Sequence, residues 1–254
     1  MLETNEETSL FFKDGEQNAA VKETEEKRVP TGIGDLDRTI EGGLKEHSVT
    51  LVGGSAGAGK SIFCIQFLVN GILQYDESGV YVTFEEEKEA VYSNMKRFGW
   101  DLADLERKNK FAFIRYTPEQ VEKLLKTGAG IIRDVVEKIG AKRIVIDSIS
   151  AFTLLHKTEL ERRAACLNLF KIVRNWHCTS IVIGQYLSAD EKHDSTAVEF
   201  EVDGIIWLYN IKEGDTRIRA LEVYKMRGTK HAVKTFPFEI TSSGVQVYPE
   251  ESVF

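Results

Sequence analysis

The stretch Gly54-Ser55-Ala56-Gly57-Ala58-Gly59-Lys60-Ser61 constrains this 254-residue chain more than any other feature. Gly54, Gly59, Lys60 and Ser61 occupy the fixed positions of the pattern G-x-x-x-x-G-K-[S/T]. The flanks supply the context that pattern needs. Residues 48–54 (SVTLVGG) read as a buried strand, and residues 60–74 (KSIFCIQFLVNGILQ) are apolar around most of a helical circumference. A glycine-rich loop between strand and helix turns successive backbone N–H groups toward an anion, and the helix N-terminus adds its dipole. Glycine also lets the backbone come close to a phosphate. Lys60 is therefore expected to meet the β- and γ-phosphates of a nucleotide, and the Ser61 hydroxyl to sit on Mg2+.

The same alternation continues along the chain. Strands are predicted at 79–84 (GVYVTF), 111–116 (FAFIRY), 143–147 (RIVID) and 179–185 (TSIVIGQ). Between them lie helical patterns at 86–99, ended by Gly99, at 117–140, opened by Thr117 and Pro118, and at 157–177. Strands alternating with helices predict an α/β fold: a mostly parallel central sheet flanked by helices. After Gln185 the pattern changes. Residues 186–200 are polar and loop-like, and four period-two runs up to Pro249, joined by short turns, predict antiparallel hairpin strands.

The strand ends carry the remaining chemistry. Asp147 closes RIVID at the carboxyl edge of the sheet, where ligands of such folds bind, and is expected to orient the metal's water shell. Glu85 and Glu86 follow VYVTF; one or both can polarise a water for in-line attack, while Glu87 and Glu89 suit the first turn of the next helix. Gln185 ends TSIVIGQ and is expected to sense the γ-phosphate.

Charge and composition exclude several classes. Residues 1–27 hold eight acids against three lysines, which is five of the seven net negative charges, so residues 28–249 form a nearly neutral domain behind an acidic, solvated leader, with a short tail at 250–254. No window approaches ~18 uninterrupted apolar residues, and the N-terminus lacks a basic n-region, so neither a membrane span nor a secretory signal is expected. Cys64, Cys166 and Cys178 are far apart and form no C-x-x-C, which points to buried thiols and a cytoplasmic protein.

Together "RVPTGIGDLD", "GGL", "VTLVGGSAGAGKS", "VYVTFEE", "RFGWDL", "RIVIDS", "KMRGTKH" and "FPFEITSSGVQVYP" resemble the KaiC-like branch of the RecA superfamily of ATPases, from about Arg28 to Pro249. The resemblance implies a RecA-like P-loop core with subunits in a homo-oligomeric ring, usually a hexamer, and ATP with Mg2+ held between neighbours. Gly57, Ala58, Gly59 and Ile62 would join Lys60 and Ser61 on one side. Arg97 falls near the base. Lys225 and Arg227 would reach the γ-phosphate from the adjacent subunit, with Met226, Thr229, His231, Thr241 and Ser242 as nucleotide contacts from that neighbouring side. The resemblance also implies a difference: the Ser-Thr pair that is autophosphorylated in the family's circadian-clock member is replaced at its register by Glu199-Phe200, with Ser195 and Thr196 offset, so the implied activity is ATP hydrolysis without autokinase chemistry.

Three functions follow: an oligomeric ATPase acting as a switch or scaffold on a protein partner, a RecA/RadA-type DNA-binding recombination ATPase, or a non-hydrolysing nucleotide-binding assembly protein. Strand handling needs a basic, aromatic-lined groove. Loop 186–200 instead carries Asp190, Glu191, Asp194 and Glu199 against one lysine, Lys192, which argues against nucleic acid. Glu85 and Glu86 argue for turnover.

Overall fold

A computed structural model describes residues 26–117, 120, 130–153, 156–185 and 197–253. Most of the acidic leader, most of the loop after Gln185 and the first part of the helix expected at 117–140 lie outside the described residues; at that helix's start, Thr117 and Gln120 exchange backbone-to-side-chain hydrogen bonds.

Two short strands, β1 (Arg28–Val29) and β2 (Leu44–Lys45), pair antiparallel around a 3-10 helix, Gly34–Ile40. The main sheet begins with β3 (Val49–Gly54), buried along its whole length, and continues with β4 (Gly79–Thr83), β5 (Phe111–Arg115), β6 (Arg143–Asp147) and β7 (Thr179–Gln185). Then come β8 (Gly204–Glu213), β9 (Thr216–Met226), β10 (Thr235–Thr241) and β11 (Gly244–Val247). Their order in space is β11-β10-β9-β8-β3-β7-β6-β4-β5. Strands β3 to β8 run parallel, and β9 to β11 extend the sheet antiparallel. Strand β8 is expected from its sequence to be a hairpin strand only. It is antiparallel to β9 but parallel to β3, so it joins the parallel part of the sheet to the antiparallel part.

Two apolar layers explain why the parallel strands read as nearly continuous apolar runs. One face packs under α1 (Lys60–Tyr75), whose Phe63, Cys64, Phe67 and Leu68 are fully buried, together with α2 (Lys88–Lys96) and α3 (Leu102–Arg107). The other packs under α4 (Gly130–Ile139), α5 (Ile149–Thr153) and α6 (Glu159–Asn175). Each large side chain so buried contributes about 1.5–3 kcal/mol. All three cysteines are buried and free.

Local signals set the helix ends. Helix α6 opens on a capping box between Thr158 and Glu161. Helix α2 begins two residues later than its sequence pattern suggests, so Glu86 lies in the connection after β4 and Glu87 occupies the N-cap position. The sequence pattern does not reveal helices α3 and α5, which are too short for a full amphipathic repeat. A final short helix, α7 (Ala197–Glu201), occupies the end of the stretch read as loop.

Candidate active site

The parallel register brings the chemical strand ends side by side. Gly54 pairs with Gln185, and Thr83 pairs with Asp147, so the loop after β3, the acids after β4 and the end of β6 share one edge of the sheet. There a cleft of about 630 Å³ is lined by Gly57, Gly59, Lys60, Ser61, Ile62, Glu85, Glu86, Arg97, Asp147 and Gln185, all expected from the sequence. Its size lies within the usual range for small-molecule sites.

The cradle needs its glycines. Gly54 adopts φ 153°, and a Cβ there would come within 2.2 Å of the Leu208 carbonyl oxygen on β8. Gly59 stands at φ 98° as the N-cap of α1. Lys60 Nζ donates to Gly54 O at 2.8 Å and to Ser55 O at 2.9 Å, which holds the ammonium within the loop. Burial lowers the Lys60 pKa, and the charges of Asp147 and Glu85 oppose that shift. The Ala58 side chain is fully buried, so that residue faces the core rather than the cleft.

Asp147 is 8% exposed, and its Oδ2 accepts from Tyr81 Oη at 2.6 Å and Ser61 Oγ at 3.1 Å. Burial raises its pKa, while those two hydrogen bonds pull the other way. A hydroxyl and a carboxylate in contact beside a phosphate cradle fit a hard cation such as Mg2+, which takes one or two protein ligands and leaves the rest to phosphate and water. Glu85 Oε1 accepts from Ser148 Oγ at 3.1 Å, and its Oε2 lies 3.5 Å from Gln185 Nε2, so the expected sensor touches an expected base. The Gln185 backbone N–H donates to Ser150 Oγ at 2.8 Å. Burial, then the charges of Asp147 and Glu85, hold the Glu86 carboxyl above the usual range.

Four lining residues escape sequence reasoning: Ala56, Ile183, Arg219 and Ile240. Arg219 pairs with Asn210, two residues beyond the β8 position level with Gly54. Its Nε is buried without a hydrogen-bond partner. Only the strand register reveals that placement. Ile240 lies 3.0 Å from where a Gly59 Cβ would be. The turn holding Thr241 and Ser242 therefore follows directly from a residue in this chain's own cleft, with Thr241 Oγ1 bonded to Gly244 O.

The "KMRGTKH" residues lie elsewhere. Leu221 is level with Gly54 through Leu208, whereas Met226 is level with Thr50 through Gly204. Four residues of β3 and of β8 separate those levels, roughly 13 Å, with a β-bulge adding a fifth residue on β9, so Lys225 and Arg227 sit at the edge opposite the cradle. Lys225 Nζ donates to Glu199 O at 2.8 Å and Arg227 to Phe200 O at 2.7 Å, both on the last turn of α7. Arg227 also faces Asp203 at 3.9 Å. Burial and the Arg227 charge lower the Lys225 pKa. The Met226 side chain packs in the core, 8% exposed, on the strand face opposite Lys225 and Arg227. Thr229 Oγ1 accepts from Arg28 at 2.5 Å, and His231 Nδ1 lies 3.0 Å from Ala232 O.

A glycine-rich cradle and an acidic strand end on a mostly parallel, RecA-like sheet define a P-loop nucleotide-site architecture. Comparison with known proteins narrows the class: the family model described as "ATPase: KaiC" matches residues 29–252, and the chain belongs to that family. A UPF0273 protein of Methanocaldococcus jannaschii is 38% identical over 239 residues, covering 89% of this chain and 98% of that protein. A UPF0273 protein of Thermotoga maritima is 36% identical, covering 89% and 97%. The crystal structure of a KaiC-like protein from the hyperthermophilic archaeon Pyrococcus horikoshii superposes with a TM-score of 0.78 at 34% identity, covering 88% of this chain and all of that one. Among the described residues, no helix is long and apolar enough to cross a membrane.

Proposed function

We propose that the protein binds ATP with Mg2+ and hydrolyses it at sites shared between adjacent copies of the chain, as a cytoplasmic ring, usually of six in this family, that acts as a switch or scaffold for a protein partner. One observation carries this reading. A single chain assembles the cradle, the Ser61–Asp147 pair and two carboxylates at one edge of its sheet, yet holds Lys225 and Arg227 at the other edge, on strand levels roughly 13 Å away. Cations presented there suit the γ-phosphate of a neighbouring subunit.

The roles divide by geometry. Lys60 and the loop amides bind phosphate, and Ser61 and Asp147 hold the metal, whose charge offsets that of the phosphates. Glu85, fixed by Ser148 and Gln185, orients the attacking water and accepts its proton. Glu86 supports it electrostatically. Gln185 links phosphate state to the segment that leads into α7. Arg97, Arg219 and Ile240 bound the cleft where the rest of the nucleotide lies, and Thr241 and Ser242 follow Ile240 directly in the chain.

Mixing two disabled variants tests the shared site. Lys60→Ala lacks the cradle cation and Arg227→Ala lacks the lent one, so each alone should release phosphate no faster than a Glu85→Gln/Glu86→Gln blank. Co-assembled, they should regain measurable turnover, because some interfaces then pair an intact cradle with an intact Arg227. No recovery on mixing, with both variants assembled, would refute the shared site.

A further inference from the structure

Tyr81 has no role in the sequence reading of the site, and its hydroxyl makes the shortest contact to Asp147. It sits mid-strand on β4, paired with Val145 of β6, with Asp147 two residues further along the same face. That diagonal is within reach of an aromatic side chain. The ring is fully buried, stacks on Phe113 at 5.7 Å, and Tyr92 packs edge-on against Phe113. The hydroxyl donates to Asp147 Oδ2 at 2.6 Å, on the same oxygen that accepts from Ser61. The phenol is the donor in that pair, because an ionised carboxylate can only accept.

We infer that Tyr81 is a positioning residue for the metal site. It fixes the rotation of the Asp147 carboxylate and stabilises its charge in a buried place. The inference rests on the reading of Ser61 and Asp147 as the metal pair. Groups that orient a ligating carboxylate typically change metal affinity 10–100-fold when removed. Mg2+ demands near-ideal octahedral geometry whereas Ca2+ tolerates irregular geometry. A carboxylate freed to rotate therefore weakens Mg2+ more than Ca2+. The rigid seat of the ring against Phe113 means that Tyr81→Phe removes the hydroxyl and leaves the packing intact.

The test is binding of a fluorescent ADP analogue by the full chain, titrated with Mg2+ or Ca2+, without turnover. For Tyr81→Phe, the Mg2+ concentration for half-maximal enhancement should rise about tenfold or more. The Ca2+ requirement should rise less, and metal-free affinity should stay as in the parent. In an Asp147→Asn background, Tyr81→Phe should add nothing to the Mg2+ requirement, since its effect runs through that carboxylate. A Mg2+ requirement within twofold of the parent, or equal losses with Mg2+ and Ca2+, would overturn the inference. A parent whose nucleotide affinity ignores both metals would instead sink the metal-pair reading, and this inference with it.

Discussion

The two ends of the sheet carry cations in opposite ways. At the cradle edge, Lys60 is buried at the first residue of a long helix, held by two loop carbonyls and facing carboxylates of its own chain. At the far edge, Lys225 is half-buried and Arg227 exposed, both resting on main-chain carbonyls of a five-residue helix. The first arrangement surrounds a ligand. The second points outward while keeping its cations aimed, since the carbonyls at a helix C-terminus attract positive charge. A surface built this way is ordered before any partner arrives.

The sharpest way to break this comparison is to measure binding and turnover separately. Arg227→Ala should lower turnover about 10³-fold or more, the range for a lent arginine in phosphoryl transfer, while each subunit keeps its nucleotide affinity. Lys60→Ala should lose affinity itself. If Arg227→Ala weakens binding as much as Lys60→Ala does, the two ends serve one ground-state site and the distinction fails.

A second test asks whether the far end is built or merely solvated. Asp203 Oδ2 accepts from the Val49 backbone N–H at 2.9 Å and from Arg174 at 3.1 Å, and its carbonyl accepts from the Arg227 N–H at 2.8 Å. Asp203 thus ties Arg227 to the first residue of the strand that ends in the cradle. Asp203→Ala should cost about 2–3 kcal/mol, because it leaves a buried N–H and a partly buried arginine without their charged acceptor. Urea unfolding measures it; a cost below about 0.5 kcal/mol, the usual surface value, would mean a solvated strand end.

The two ends were also unequally legible in the sequence. The cradle is a contiguous motif whose physics depends on neighbours in the chain, so Gly54 to Ser61 could be read directly. Asp147, Glu85 and Gln185 followed, because a parallel sheet aligns the ends of its strands. Arg219 could not be read, since its place depends on how β9 pairs with β8, which a period-two pattern leaves open. Tyr81 was hidden for a related reason: in the run VYVTF it is indistinguishable from a core aromatic until β6 is set beside it. Lys225 and Arg227 came only through family resemblance, because nothing in "KMRGTKH" itself points to a nucleotide. Met226 shows the limit of that route: a position carried over from a family pattern says nothing about whether its side chain or its backbone faces the ligand.

The crowding of acids at the cradle edge gives the smallest expected effect and the most diagnostic sign. Glu86 has its pKa raised by burial and by the charges of Asp147 and Glu85. A carboxyl whose folded pKa exceeds its unfolded one binds its proton more tightly in the native state. Its favourable contribution is therefore present at low pH and is lost as pH rises through the folded pKa. At pH 8 the native protein holds an ionised Glu86 against like charges, and Glu86→Gln removes that repulsion without changing the side chain's shape. Without nucleotide, the variant should melt about 2 °C higher, a small shift because solvent screens this half-open position. The gain should vanish below about pH 4, where the parent carboxyl is protonated in both states. At the far edge Arg227 and Arg174 share the carboxylate of Asp203, so like charges there have a counter-charge between them, and Arg227→Gln should give no comparable gain at pH 8. Equal stabilisation at the two edges, or none at the cradle, would mean that the strain attributed to the cradle-edge carboxylates is not there.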